Sequence, residues 1–300
     1  MVGDVHMKLQ LNAEIKRTGM IVNEENLFRE MAKEFNTTIS KTSYVEIIHK
    51  NPVEFNSSYK VGGVARVELG DLMLLTYDRA TNELRICILQ AKYKKGRYYH
   101  FLNFHADIFQ WELLKDKPFI INKSKRFNFP SNILNFRDDY ASITAYGIFY
   151  EDNISKEIDF LYTLPEHIKP CKHPIKRIKR GVRAFFFRCP KHLGSPNNMC
   201  RAGMRPKELI STCSLDVFEQ QVLRCKVGAP INDGKVMNWI RHLLLSYKGS
   251  STTPEVIDEL LEHLDVRGDD IDEVYDFEGV PSIIVVLTDS ERVSVSSDVL

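Results

Sequence analysis

The segment from Gly70 to Gly96, GDLMLLTYDRATNELRICILQAKYKKG, constrains the fold more than any other part of the 300-residue chain. Two apolar runs, LMLL and ICIL, flank a polar stretch that holds Asp78, Arg79, Thr81 and Asn82, the pattern of a β-hairpin. Neither run alternates with polar residues, so both faces of each strand need cover, as in the central sheet of an α/β protein. Flanking helices are therefore required.

The rest of the chain offers them. Leu27, Phe28, Met31 and Phe35 fall near helical spacing behind Asn23, a good N-cap, and predict a leading helix over 23–35. Segments 105–114, 215–225, 235–247 and 254–264 also read as helices, the last with Pro254 at its first position. Strand patterns occur at 139–150, at 158–164 and in the PFII run after Lys117, while 43–49 suits a short strand or helix. Residues 282–288 and 292–296 read as a terminal hairpin that could add to the main sheet or to a smaller one. The chain turns basic, then rich in Cys, Pro, Gly and Asn, beyond about residue 166. The expected organisation is an α/β core with a central mixed sheet over 1–165 and a mixed α+β extension over 166–300.

Basic and acidic residues nearly cancel, 41 against 40, so attraction to a polyanion must come from local clusters and not from the overall field. No run of roughly eighteen apolar residues occurs, and charges interrupt the first fourteen positions where a signal peptide needs an apolar stretch. A cytoplasmic location is expected. The six cysteines then read as reduced thiols and not as a disulfide framework. No P-loop, dinucleotide fingerprint or G-x-S-x-G sequence is present, which argues against kinases, dehydrogenases and serine hydrolases.

Chemistry concentrates at the open end of the hairpin. Side chains two apart on a strand share a face, so Gln90 and Lys92 project together. A turn centred between Ala80 and Thr81 sets Asp71 opposite Gln90, and one centred between Thr81 and Asn82 sets it opposite Lys92; either even-numbered loop joins it to that face. A carboxylate, an amide oxygen and an ammonium so placed can hold Mg²⁺ or Mn²⁺ against a phosphodiester and steady the developing charge. The alternative is a turn aspartate with two polar strand-end residues, but unpaired charges amid apolar strands are costly.

Gly70-Asp71, an apolar strand, a turn, and a second apolar strand ending Gln90-Ala91-Lys92 resemble the PD-(D/E)xK nuclease superfamily, in particular its Mrr-like restriction endonucleases, where Gln replaces the second acid. The resemblance covers residues 70 to 92 and implies a restriction-endonuclease-like core, a divalent metal and hydrolysis of DNA or RNA, with DNA favoured. Asp71, Gln90 and Lys92 are the catalytic positions it carries over. Two departures are glycine in place of proline before Asp71 and the absent second acid. Glu68, Glu30 and Glu34, the last two on the leading helix, are the candidates to supply the missing metal-binding carboxylate.

Basic and aromatic residues mix just after the motif, where Lys94, Lys95 and Arg97 stand among tyrosines, and again where Lys176, Arg177, Lys179 and Arg180 precede Phe185 to Phe187. Such mixtures suit nucleic-acid backbones and bases; the plainer readings are a solvated strand exit for the first and a buried strand with basic flanks for the second. Cys171, Cys189, His192 and Cys200 offer a donor set for structural Zn²⁺, though only Cys189 and His192 have knuckle spacing; ordinary loop residues are the plainer reading. Three functions follow: a metal-dependent DNA endonuclease acting in restriction or anti-phage defence, alone, as an oligomer, or switched on by a regulatory or ATPase partner; a nuclease-fold protein without activity that binds nucleic acid or a protein partner; and a zinc-stabilised adaptor.

Overall fold

The computed structural model describes residues 7–36, 40–47, 52–60, 62–94, 103–121, 130–136, 143–152, 155–170, 184–188, 211–212, 214–265 and 280–291. In chain order its helices are α1 (Met7–Thr18), α2 (Glu24–Glu34), α3 (Ile108–Asp116), α4 (Leu215–Leu223), α5 (Gly234–Tyr247) and α6 (Pro254–Asp265). The strands are β1 (Ser40–Val45), β2 (Val53–Asn56), β3 (Val64–Val67), β4 (Leu72–Asp78), β5 (Glu83–Lys94), β6 (Asn103–Asp107), β7 (Thr144–Glu151), β8 (Ile158–Thr163), β9 (Lys169–Pro170), β10 (Ala184–Arg188), β11 (Ser211–Thr212), β12 (Ala229–Pro230) and β13 (Ser282–Thr288).

Among the described residues an eight-stranded mixed sheet runs β1-β13-β4-β5-β7-β8-β11, with β12 pairing along the first part of β5. The expected hairpin is its centre: β4 and β5 are antiparallel, β13 lies parallel to β4, and β7 lies parallel to β5. Both faces are covered, as the unbroken apolar runs require. Met73, Leu75, Ile86, Ile88 and Ile148 pack with α3, α5 and α6, while Leu72, Leu74, Leu89, Ala91 and Phe149 pack with α1, α2 and α4. Residues one apart on a strand thus enter different cores.

Local signals account for most boundaries. The Asn23 side chain accepts from the Asn26 N–H at the start of α2, and Asp233 caps α5 through the N–H groups of Lys235 and Val236. The helix expected over 105–114 begins only at Ile108, because Asp107 caps it and the preceding residues form β6. The PFII run is not a strand: Ile121 makes one isolated bridge to Glu54, and Phe119 is exposed. Residues on both sides of the boundary expected near 166 build the one sheet. The first arm of the expected terminal hairpin is β13, inserted between β1 and β4, and residues 292–296 lie outside the described residues. Among the described residues no helix is long and apolar enough to cross a membrane.

Candidate functional site

The β4–β5 register pairs Leu72 with Leu89 and Asp78 with Glu83, which centres the four-residue loop between Ala80 and Thr81. Of the two even-numbered loops the sequence allows, this one sets Asp71 against Gln90. Asp71 stands one residue before the regular ladder. Its N–H donates to the Leu89 carbonyl at 2.9 Å, and its Oδ2 accepts the Ala91 N–H at 2.7 Å. The side chain thus replaces a strand carbonyl as the acceptor for the next donor of β5. Gln90 Nε2 donates to the same Oδ2.

Gly70 permits this corner. A Cβ at that position would lie 2.7 Å from Ile88 Cγ2 and 3.1 Å from the Leu89 carbonyl oxygen, so any side chain would push the start of β4 away from β5.

Gln90 is only 5% exposed. While its Nε2 is engaged, its Oε1 is buried and has no hydrogen-bond partner among the described residues. An unpaired buried acceptor costs about 1–3 kcal/mol, so a cation or donor beside it would be favoured. A hard amide oxygen next to a carboxylate fits Mg²⁺ or Mn²⁺. Lys92, half-buried, lies two residues along β5 and projects to the same face as Gln90.

Parallel pairing sets Tyr146 of β7 beside Gln90. Tyr146 is fully buried, and its ring centroid lies 5.6 Å from that of Phe104 of β6. Its phenol is held well above the usual range, first by burial and then by the negative charges of Asp107 and Asp71. One hydroxyl therefore stands within electrostatic reach of both carboxylates. Asp107 is half-buried, and its Oδ1 caps α3 by accepting from Phe109 N at 2.7 Å and Gln110 N at 3.4 Å. Sequence reasoning missed this aspartate. The signal was there in Asp107-x-x-Gln110, a helix-start pattern that also fixes where α3 begins.

Of the carboxylates proposed to complete the site, the two on α2 lie on the other side of the sheet. Glu30 and Glu34 belong to α2, whose Leu27, Phe28 and Met31 pack with Leu72, Leu89 and Ala91 on the opposite face of the sheet. Glu30 accepts from Lys33 Nζ at 2.7 Å, and Glu34 is pushed above the usual carboxyl range by burial and by the charges of Glu30 and Glu14. The sheet separates both from Gln90. Glu68 is exposed, between the end of β3 and the Leu69-Gly70 corner. Among the described residues no three His, Cys, Asp or Glu side chains cluster closely enough to hold a metal; a cation at this site would rest on fewer carboxylates and on the neutral Gln90 oxygen.

Lys94 ends β5. Lys95, Arg97, Lys176, Arg177, Lys179 and Arg180 lie outside the described residues, as do Cys171, Cys189, His192 and Cys200. Cys87 and Cys225 are free, buried thiols, each pushed up to about 12, chiefly by burial.

No protein-family model matches the chain, and comparison with curated proteins found no relative.

Proposed function

We propose that this chain is a divalent-metal-dependent nuclease acting on DNA in preference to RNA, with the reaction centred on Asp71, Gln90 and Lys92. The observation that carries the reading is the contact between Asp71 and Gln90 at the end of the central ladder, with the Gln90 Oε1 buried and unpartnered beside it. Asp71 would supply the anionic oxygen that holds the cation, and Gln90 a neutral one. When bound, a divalent cation supplies Lewis acidity, polarising the phosphate and lowering the pKa of an attacking water. Lys92, from the same face, orients that water or offsets the charge that builds on the phosphate oxygens. A role in restriction or anti-phage defence, and activation by a regulatory or ATPase partner, follow from the resemblance alone.

One observation favours a second reading, a nuclease fold that binds nucleic acid or protein without cutting. Asp71 Oδ2 already accepts from the Ala91 N–H and the Gln90 amide, which gives the carboxylate a structural task. Incubation with supercoiled plasmid and Mg²⁺ or Mn²⁺ separates the two. The nuclease reading expects nicking by the wild type and a drop of about a hundredfold or more in Asp71→Asn and Lys92→Ala, the scale on which loss of one charge-stabilising group acts. No cutting with any DNA and metal selects the second reading, and equal cutting by all three proteins removes Asp71 and Lys92 from the reaction.

A further inference from the structure

We propose that Glu24 is a positioning residue for this site: by accepting the N–H of Tyr93 it fixes the end of β5 from which Lys92 projects. The inference rests on the nuclease reading above and adds to it a residue of α2 that acts through Lys92 and not on the substrate. β4 pairs with β5 only as far as Leu72 and Leu89, whereas β5 runs on to Lys94 against β7. Beyond Gln90 the other edge of β5 therefore has no partner strand among the described residues. Leu89, Ala91 and Tyr93, two apart along the strand, turn their backbone groups to that edge. The Leu89 carbonyl accepts from Asp71 N at 2.9 Å, the Ala91 N–H donates to Asp71 Oδ2 at 2.7 Å, and the Tyr93 N–H donates to Glu24 Oε1 at 2.8 Å. Two side-chain carboxylates thus stand where a neighbouring strand would have offered carbonyls.

The helix is set for this task. Glu24 is the first residue of α2, directly after the Asn23 cap, where the helix N-terminus also favours a carboxylate. One turn on, Phe28 meets the Phe149 ring edge-on at 5.3 Å, and Phe149 is the register partner of Tyr93. The same helix therefore holds the end of β5 and the strand beside it. The donor that Glu24 binds belongs to the peptide joining Lys92 to Tyr93, and a bond from an ionised acceptor to that peptide is stronger than one between neutral groups. A group that offsets charge on a reacting phosphate has to be held to within about 0.5 Å, and a misplacement of about 1 Å can cost a hundredfold in rate.

The test compares full-length wild type, Glu24→Ala, Glu24→Gln and Asn23→Ala in nicking of supercoiled plasmid with Mg²⁺ or Mn²⁺ and in hydrogen exchange over residues 90–94. Glutamine keeps an acceptor oxygen for the Tyr93 N–H and loses the charge, so rescue by Glu24→Gln marks the bond itself. Asn23→Ala removes the α2 cap and leaves Glu24 in place, which controls for a loosened helix. In Glu24→Ala, kcat is expected to fall about ten- to a hundredfold while KM for the plasmid changes less than about twofold, with faster exchange over 90–94. Glu24→Gln and Asn23→Ala are expected to cut like the wild type. Glu24→Asp, one methylene shorter, gives the same comparison in milder form should Glu24→Ala not fold. Unchanged exchange or undiminished cutting in Glu24→Ala, or an equal loss in Glu24→Gln or Asn23→Ala, would overturn the positioning role and leave the nuclease reading standing. No cutting by the wild type with any DNA and metal would overturn both.

Discussion

A methyl group on Gly70 would meet Ile88 Cγ2 and the Leu89 carbonyl, and that conflict makes a single hydrogen atom a condition for the position of Asp71. Gly70→Ala is expected to lower stability by about 1–3 kcal/mol, the usual cost of forcing an atom into a packed site. It should also weaken Mn²⁺ binding more than its effect on stability explains, because Asp71 is the next residue. Urea denaturation alongside a Mn²⁺ titration checks this, and a variant with unchanged stability would show that the corner tolerates a Cβ. At this scale the sequence was informative where period-two geometry rules. Gln90 and Lys92 share a face by parity, and Asp71 follows within the one-residue ambiguity of the turn. Asp107 could not be found that way, since its electrostatic reach to Tyr146 depends on tertiary packing such as that of Phe104 on the Tyr146 ring. The side of the sheet on which Glu30 and Glu34 lie is hidden for a related reason: an amphipathic helix announces that it has an apolar face, but not which side of the sheet receives it.

Elements were legible in proportion to their apolar periodicity. α2, α4, α5, α6 and the central hairpin carry clear patterns, whereas α1 does not, and its Leu9 is 56% exposed. Polar ties help to hold α1 instead. Its first N–H groups donate to α4, Met7 N to Glu219 Oε2 at 3.3 Å and Lys8 N to Asp216 Oδ1 at 2.9 Å, and the Asn12 side chain both donates to and accepts from the Ile158 backbone. Glu219 is fully buried, and its carboxyl is raised to about 8, chiefly by burial against the lowering effect of the Met7 N–H, with the charges of Asp216 and Glu34 adding. The folded protein therefore keeps a proton that the unfolded chain releases near the ordinary carboxyl value. The stabilisation linked to that proton is complete below this value and declines as pH rises, until it is lost above about 8. Glu219→Gln keeps an acceptor for Met7 and removes the ionisation. It is expected to be more stable than the wild type at pH 8, by an amount on the order of a few kcal/mol, and indistinguishable from it at pH 4. Thermal melts across that range test the point, and parallel pH profiles for the two proteins would refute it.

At the scale of the molecule, chain order and spatial order diverge most at β13. The shift in composition near residue 166 marks an extension or second small domain whose terminal hairpin could join the main sheet or a smaller one, and β13 lies inside the main sheet, between β1 and β4. Sequence periodicity cannot reveal this, because a short, fully apolar strand carries no mark of which neighbours it will pair with. Ile283, Ile284, Val285, Val286 and Leu287 are all fully buried and divide between the two cores. At roughly 1.5–3 kcal/mol for each such side chain, they together match the net stability of a typical domain, about 5–15 kcal/mol. β4 without β13 would also present an unpaired apolar edge, open to aggregation. The candidate site depends on this remote strand, since β13 braces β4 up to Leu72, the residue after Asp71. A fragment of residues 1–165 is therefore expected to lack cooperative unfolding in urea and to bind no Mn²⁺, while the full chain unfolds in one transition that takes the metal site with it. Circular dichroism and Mn²⁺ titration of both proteins distinguish the cases. A fragment that melts cooperatively would mean that the core is complete without its C-terminal strand, and that the site is built by the first half of the chain alone.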